Sequence, residues 1–377
     1  MRKEKDMKIL FVASVYRHLT VFHIPYMQYF QSQGYEVWAA AGVGNEDKEN
    51  LEKLNIKCVD IPFSRSPLSA QNLTAYQELK TLFNSERFDL VHVHTPIAAL
   101  LARAAFRKVR HGKIVYTAHG FHFYKGAPKQ NWLIYYTAEK LAAKWTDHLI
   151  TMNDEDYHNA QKLLPVDKVS YVHGVGVEFT AQALTPAEKD ELKTQLGLAN
   201  DAVVISYVAE MNANKNHQFL LRNWQQLKQD NPNLELLLIG NGELEQELQD
   251  YVAKEQLTGI HFLGYRRDVS KLLQITNIVT LLSQREGLPK SIMEAMEASI
   301  PCVVTNTRGL RDLVQTNDNG YVVEHGDDES LKATFTKLAQ SEPLREQMGQ
   351  RAKQLVAPFV LDKVLQEYRT IYKKLLK

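Results

Sequence analysis

Two glutamates eight residues apart, Glu286 and Glu294, bracket the start of a helix in the stretch LLSQREGLPKSIMEAMEAS. The run IVTLLSQ reads as a buried strand and REGL as the turn that follows it. Pro289 suits the first helical position, because its missing N–H would be unpaired there anyway. Glu286 then precedes the helix and Glu294 lies inside it, roughly 7 Å further along the axis at about 1.5 Å per residue. Free N–H groups and the positive end of the helix dipole make the spot between them a seat for phosphate. A diphosphate docked there would turn one arm toward each glutamate. Each carboxylate would accept hydrogen bonds from a pair of sugar hydroxyls, and a nucleotide sugar has that shape. Spacing alone leaves another reading open, in which Glu286 favours the dipole and Glu294 is a solvated helical residue.

Carboxylates beside a diphosphate repel it unless cations intervene. VAEMNANKNHQFLL follows the strand VVISYVAE and puts Lys215 just before the next helix. An ammonium there can neutralise charge on a departing phosphate, although an exposed loop lysine is the plainer account. In LLLIGNGELEQEL the order is strand, Gly-x-Gly, helix, but Glu245 fills the third glycine's place and no acidic ribose anchor is evident. A dinucleotide fingerprint therefore fails, and Gly240 and Gly242 are expected to let a nucleotide approach the backbone. The DED of residues 154–156 resembles a metal-binding D-x-D but stands at a helix start, where capping accounts for it. His92 and His94 of HVH share a strand face. With no third ligand in view they are read as cleft or core histidines, and no metal is expected.

Such loops need a frame. Short β-branched and aromatic runs alternate with amphipathic stretches: KILFVASV, EVWAAAGV, KCVDIPF, DLVHVH, KIVYTAHG, HLITMN and KVSYVHG. After the polar stretch TPAEKDELKTQLGLAND the rhythm begins again with VVISYVAE, LELLLIG, IHFLGY, IVTLLS, PCVVTN and GYVVEHG. This predicts an α/β protein of two doubly wound, Rossmann-like domains, residues 1–175 and 176–358, with ligands in a cleft at the carboxyl ends of the strands. Gly174 and Gly176 of HGVGVEFT mark the boundary. The tail from about 359 to 377 has apolar residues at helical spacing and could lie on either domain.

Composition narrows the class. At 377 residues, 44% hydrophobic and 24% charged, the chain is ordinary globular protein of about two domains. No apolar run approaches the roughly 20 residues needed to cross a bilayer. The basic start MRKEKDMK before ILFVASVY imitates a signal peptide but reads better as the approach to a first strand, so a cytosolic chain is expected. Cys58 and Cys302, far apart, support neither a disulfide framework nor a zinc site. Residues 1–175 hold 22 Lys+Arg against 17 Asp+Glu and the remainder 23 against 27, a mild asymmetry that reads either as sampling noise or as a basic half suited to anionic surfaces such as lipid phosphate. Nothing suggests nucleic acid.

Glu-Gly-Leu-Pro-x4-Glu-Ala, followed by IPCVVTNTRGLRDLV and NGYVVEHGD, resembles the C-terminal domain of the retaining family 4 glycosyltransferases of GT-B architecture, two Rossmann-like domains facing each other across a cleft. FDLVHVHTPIAALLARAAF, IVYTAHGFHFYKGAPKQNWLIYYTAEKLAAKWTDHLITMNDEDY and AEMNANKNHQ are similar to the subgroup that builds bacterial capsule and exopolysaccharide repeat units on a lipid carrier. The resemblance covers nearly the whole chain. It implies that Glu286 holds donor-sugar hydroxyls, Glu294 the ribose, and that Lys215 faces the diphosphate of a nucleotide sugar, with UDP-sugars the expected donors. The backbone of Gly287, Leu288 and Pro289 would line the donor. His119 of TAHG matches a histidine that reaches the donor sugar, although bonding its own turn is the reading the residue suggests by itself. No cofactor beyond the donor is implied.

The departures from the family pattern matter too. Glu210 stands where many members carry arginine, so diphosphate charge would rest on Lys215, with Lys290 or Arg308 as helpers. SVYRHLTVFHIP replaces a Gly-Gly turn after the first strand. The aromatic segment FHFYKGAPKQNWLIYYTAEKLAAKW mixes Phe123, Tyr124, Trp132, Tyr135 and Tyr136 with Lys125, Lys129, Lys140 and Lys144. It reads equally as a core helix with a lysine face or as an interfacial helix at the inner face of the plasma membrane, where a lipid-diphosphate-linked saccharide acceptor would lie. Arg103, Arg107, Lys108 and Arg110 add to the basic character of this half. Two rival functions remain open at this stage, a nucleotide-sugar epimerase and a non-catalytic partner in a polysaccharide assembly complex.

Overall fold

The computed structural model describes residues 7–42, 45–64, 66–109, 111–178 and 182–377; Arg110 lies outside them. The chain divides into two compact units, Met1–Val175 with Asp362–Lys377, and Gly176–Leu361.

The first unit is built on one parallel sheet of β1 (Lys8–Val15), β2 (Glu36–Gly42), β3 (Lys57–Asp60), β4 (Leu90–Val93), β5 (Lys113–Ala118), β6 (His148–Thr151) and β7 (Val169–Tyr171), in the order β3-β2-β1-β4-β5-β6-β7. Helices cover both faces, so the central strand is apolar on both: Ile9, Leu10, Phe11, Val12 and Ala13 are all fully buried. Alternate residues feed two cores. Leu10 and Val12 join Val91, Val93 and Ile114 on one face, while Ile9 and Phe11 join Leu90 and Val115 on the other.

The tail helix Leu361–Leu376 completes that second core with a stripe of Val364, Tyr368, Ile371 and Tyr372. Of the two placements the sequence left open, it takes the first unit. Polar contacts fix its register, since the Tyr372 hydroxyl lies 2.9 Å from His92 Nδ1 and Glu367 Oε1 lies 2.6 Å from His173 Nδ1.

The second unit repeats the plan with β8 (Val203–Val208), β9 (Leu234–Ile239), β10 (Ile260–Gly264), β11 (Ile278–Leu281), β12 (Cys302–Thr305) and β13 (Gly320–Val323), parallel and ordered β10-β9-β8-β11-β12-β13. Each strand run read from the sequence holds one of these strands. In both sheets the order reverses beside the first strand, between β1 and β4 and between β8 and β11. At such a point neighbouring crossovers depart to opposite faces, leaving a crevice at the carboxyl edge.

Candidate functional site

Lys215 and Glu286 come from the two loops that flank the second unit's reversal point. After β8, Asn212 Oδ1 accepts a hydrogen bond from Lys215 N at 3.1 Å and closes the turn Ala213–Lys215. Asn216 then takes a left-handed conformation, φ 53°, and the helix His217–Asp230 begins. The buried Tyr207 ties the loops together: its hydroxyl donates to the Lys215 carbonyl and accepts from Leu282 N at 2.9 Å. Asn214 adds two more links, its carbonyl accepting from Gln284 N at 2.8 Å and its side-chain amide donating to Arg285 O at 2.9 Å. The outcome is a Lys215 Nζ–Glu286 Oε1 separation of 2.5 Å, with the two side chains 21% and 10% exposed.

A third loop, after β12, clamps the Glu-Gly-Leu-Pro turn. The hydroxyls of Thr305 and Thr307 donate to Ser283 O at 2.7 and 2.9 Å, and Arg308 Nε donates to Glu286 O at 3.0 Å. Gly309 has φ 75°, and a Cβ there would stand 2.1 Å from Gly287 O, so only glycine lets the two backbones meet. Arg308 is 3% exposed, which corrects its expected role as a phosphate helper: it braces the turn that carries Glu286.

The helix that follows is Lys290–Glu297, beginning one residue later than expected, with Pro289 at the N-cap (φ −75°, ψ 123°). Ile292, Met293, Ala295 and Met296 face the core, which leaves Lys290 and Glu294 on the other side, 3.4 Å apart between Nζ and Oε1. Among the described residues no side chain caps the helix start, so its first N–H groups have no intrahelical or side-chain acceptor there. Burial raises the Glu294 pKa above the usual carboxylate range, and Lys290 pulls it back only in part. Leu288 packs against the core beneath the turn, while Glu210 is exposed on the loop after β8.

Gly240 and Gly242 are also needed for packing between loops. The space for a Cβ is filled by Ala209 O, 2.0 Å from the position at Gly240, and by Met211 O, 2.3 Å from that at Gly242. These glycines let the loop after β9 lie on the loop after β8, the loop that leads to Lys215.

His119 follows β5 in the first unit. Its Nε2 lies 3.2 Å from both His18 Nε2 and His94 Nδ1, so it is held by other histidines and not by its own turn. Sequence reasoning singled out neither His18 nor His23. The available signal was that histidines stand just after three strands, β1, β4 and β5, that are neighbours in the sheet. His92 is satisfied elsewhere, with Nε2 2.7 Å from Thr117 Oγ1 and Nδ1 facing Tyr372.

The family model for Glycosyl transferase 4-like proteins matches residues 8–153, and that for Glycosyl transferases group 1 matches residues 188–355. EpsD of Bacillus subtilis (strain 168), assigned as a glycosyltransferase, is 36% identical over 370 residues, 97% of this chain and 96% of that one. The chain belongs to the family 4 glycosyltransferases. An Escherichia coli relative, UDP-Gal:alpha-D-GlcNAc-diphosphoundecaprenol alpha-1,3-galactosyltransferase, is 28% identical over 323 residues, covering 81% of this chain and 82% of that one. The crystal structure of Anabaena HepE in complex with UDP and glucose superposes with a TM-score of 0.81 at 18% identity, over 98% of this chain and 100% of that one. That likeness, with the two parallel sheets, establishes the GT-B fold class of the transferase.

The transferase's aromatic segment takes the first of its two sequence readings, a core helix with a lysine face, and adds exposed apolar residues to that face. Phe123 is fully buried, stacked on Phe121 at 4.5 Å, and Trp132, Tyr135 and Tyr136 pack against the core. The residues turned outward are Leu133, Ile134 and Leu141, at 74%, 58% and 50% exposure, beside exposed Lys129, Lys140 and Lys144. Arg103, counted above as surface charge, is 1% exposed: it pairs with Glu139 at 2.8 Å and lies over the Tyr116 ring. In the DED run, Asn153 is the cap, and Asp156 Oδ2 accepts from Phe121 N at 3.1 Å across to the loop after β5. No helix among the described residues is long and apolar enough to cross a membrane.

Proposed function

We propose that this transferase moves a sugar, with retention of anomeric configuration, from a UDP-sugar to a hydroxyl of a lipid-diphosphate-linked saccharide in bacterial capsule or exopolysaccharide synthesis. The observation that carries the reading is the Lys215–Glu286 pair beside a helix start that no side chain among the described residues caps, with Glu294 one turn inside. The helix start and Lys215 would take the charge that builds on the diphosphate as the bond to the sugar's anomeric carbon breaks. Glu286 would accept from donor-sugar hydroxyls and Glu294 from the ribose. The acceptor oxygen bonds to the anomeric carbon on the face the diphosphate leaves, and its proton passes to the departing phosphate oxygen, so no dedicated side-chain base is required. The activity for which the Escherichia coli relative is named and the UDP held by the Anabaena protein support this choice of donor and acceptor.

A lipid-borne acceptor calls for a membrane-facing surface. Leu133, Ile134 and Leu141 with their neighbouring lysines have the chemistry of one: apolar side chains to enter the acyl boundary and ammonium groups to meet lipid phosphates.

The test is a screen of radiolabelled nucleotide sugars against membrane lipid extracts, repeated with Glu286→Gln and Lys215→Ala. Label passing into lipid with the wild-type chain, and failing to do so with both folded variants, is the expected result. A rearranged sugar nucleotide released without acceptor, or donor binding with no turnover on any lipid, would overturn the reading.

A further inference from the structure

We infer that His18, His23, His94 and His119 form a binding site for one divalent transition-metal ion, of the zinc class, at the carboxyl edge of the first unit's sheet. One ring nitrogen from each of the four lies within 4.8 Å of every other. The consecutive separations are 3.4 Å from His23 Nε2 to His18 Nε2, 3.2 Å from His18 Nε2 to His119 Nε2, and 3.2 Å from His119 Nε2 to His94 Nδ1. Zinc–imidazole bonds of about 2.0–2.1 Å in a tetrahedron put ligand nitrogens about 3.3–3.4 Å apart. The three consecutive separations match this, while the other pairs, within 4.8 Å, and the His23 and His94 rings, stacked at 3.8 Å, would have to rearrange around an ion.

Hydrogen bonding among the rings does not account for the cluster. A ring nitrogen of neutral imidazole either carries one proton or offers one in-plane lone pair, so it takes part in a single hydrogen bond. Four nitrogens in a chain of three close contacts can then form two bonds, and His18 against His119 is left with no favourable arrangement if the outer pairs are made. The far nitrogens offer no compensation, because His23 Nδ1 and His94 Nε2 are buried without a partner among the described residues. A cation at the centre satisfies all four lone pairs at once.

The sequence gives His94 no third ligand, and the fold supplies it. His18 and His23 follow β1, His94 follows β4 and His119 follows β5, so the reversal between β1 and β4 draws them together. His23 and His94 are fully buried while His18 and His119 are partly exposed, which leaves an entry path on one side. A donor set of imidazoles alone favours zinc, copper, nickel or iron over calcium or magnesium. Four protein ligands close the tetrahedron, so the ion would hold the loops after β1, β4 and β5 together instead of presenting a bound water. The site belongs to the first unit and its test does not use sugar transfer, so it stands or falls apart from the function proposed above.

Untagged full-length protein, stripped with a chelator, is titrated with Zn2+ against a chromophoric competitor and separately with Co2+ for its visible spectrum. One equivalent of Zn2+ and the intense absorption of tetrahedral Co2+ are expected. His18→Gln and His119→Gln, at the two partly exposed ligands, should each weaken Zn2+ about a hundredfold or more, whereas His111→Gln, at an exposed histidine elsewhere, should not. Circular dichroism establishes that the variants are folded. Absence of Zn2+ binding by the stripped wild-type protein, a weak octahedral Co2+ spectrum, or unchanged affinity in both ligand variants would overturn the site.

Discussion

Lys215 and Glu286 are 71 residues apart in the chain, yet Nζ and Oε1 meet at 2.5 Å between two loops that Tyr207 and Asn214 stitch together. The pair keeps a cation and an anion side by side before any ligand arrives. A diphosphate would draw part of the Lys215 charge to itself, and a sugar would offer Glu286 hydroxyl donors in exchange. The contact therefore reads as a resting arrangement of two groups whose working partners differ.

Lys215→Ala and Glu286→Gln should each lower kcat/KM about 10²–10³-fold, the scale seen when one preorganised electrostatic group is removed from an active site. Because the groups touch, the double variant should lose less than the product of the single losses. Each single variant should also lose stability, on the order of 1–3 kcal/mol, because the side chains are only 21% and 10% exposed and removing one leaves the other's charge largely buried. Steady-state kinetics with thermal melts would check this, and full additivity would show that the contact does not couple the two.

Gly309→Ala should impair donor use without touching a charged group. Its φ of 75° and the 2.1 Å approach to Gly287 O mean that an added methyl must push the Glu-Gly-Leu-Pro turn aside. A cost of about 1–3 kcal/mol in the second unit is expected, with a rise in KM for the sugar nucleotide. Chemical denaturation and donor titration measure both, and an unchanged KM would mean that the turn does not need its clamp.

The strands and the Glu286–Glu294 motif were legible because they depend on local pattern: apolar runs at strand length, a turn, a proline and a helix. The clamps were not legible, because they are contacts between loops far apart in sequence. Arg308 looked like a free cation until the fold buried it against Glu286 O. Gly240 and Gly242 suggested close approach of a nucleotide, and the sequence did not show that a Cβ at either would meet the chain's own backbone, at Ala209 O and Met211 O. The histidine group was hidden for the same reason, since His18 and His119 are 101 residues apart and only the strand order makes them neighbours.

Glu294→Gln should separate stability from function. Burial lifts its carboxyl above the ordinary value of 4.5, so the folded state favours the neutral acid. The resulting stabilisation is present below about pH 4.5 and lost as pH rises through the elevated folded pKa. A neutral amide avoids that loss. The variant should therefore melt higher at pH 7 by no more than about 1 kcal/mol, roughly 2–4 °C, and match the wild type near pH 4, while binding the nucleotide more weakly. Melts across pH with UDP titration test this; a lower melting point at pH 7 would show that the Lys290 pairing outweighs burial.

Membrane contact should depend on Lys129, Lys140 and Lys144 together with Leu133, Ile134 and Leu141. Each lysine near an anionic surface contributes about 1 kcal/mol, so replacing all three by glutamine should weaken binding to phosphatidylglycerol vesicles about a hundredfold at low salt. The same loss should appear in wild type as ionic strength rises, because screening acts on those charges and leaves the apolar side chains alone. Leu133→Ser with Ile134→Ser should weaken binding at every salt concentration. Flotation with vesicles distinguishes the two effects, and wild-type protein that stays with the soluble fraction at low salt would remove this face from consideration.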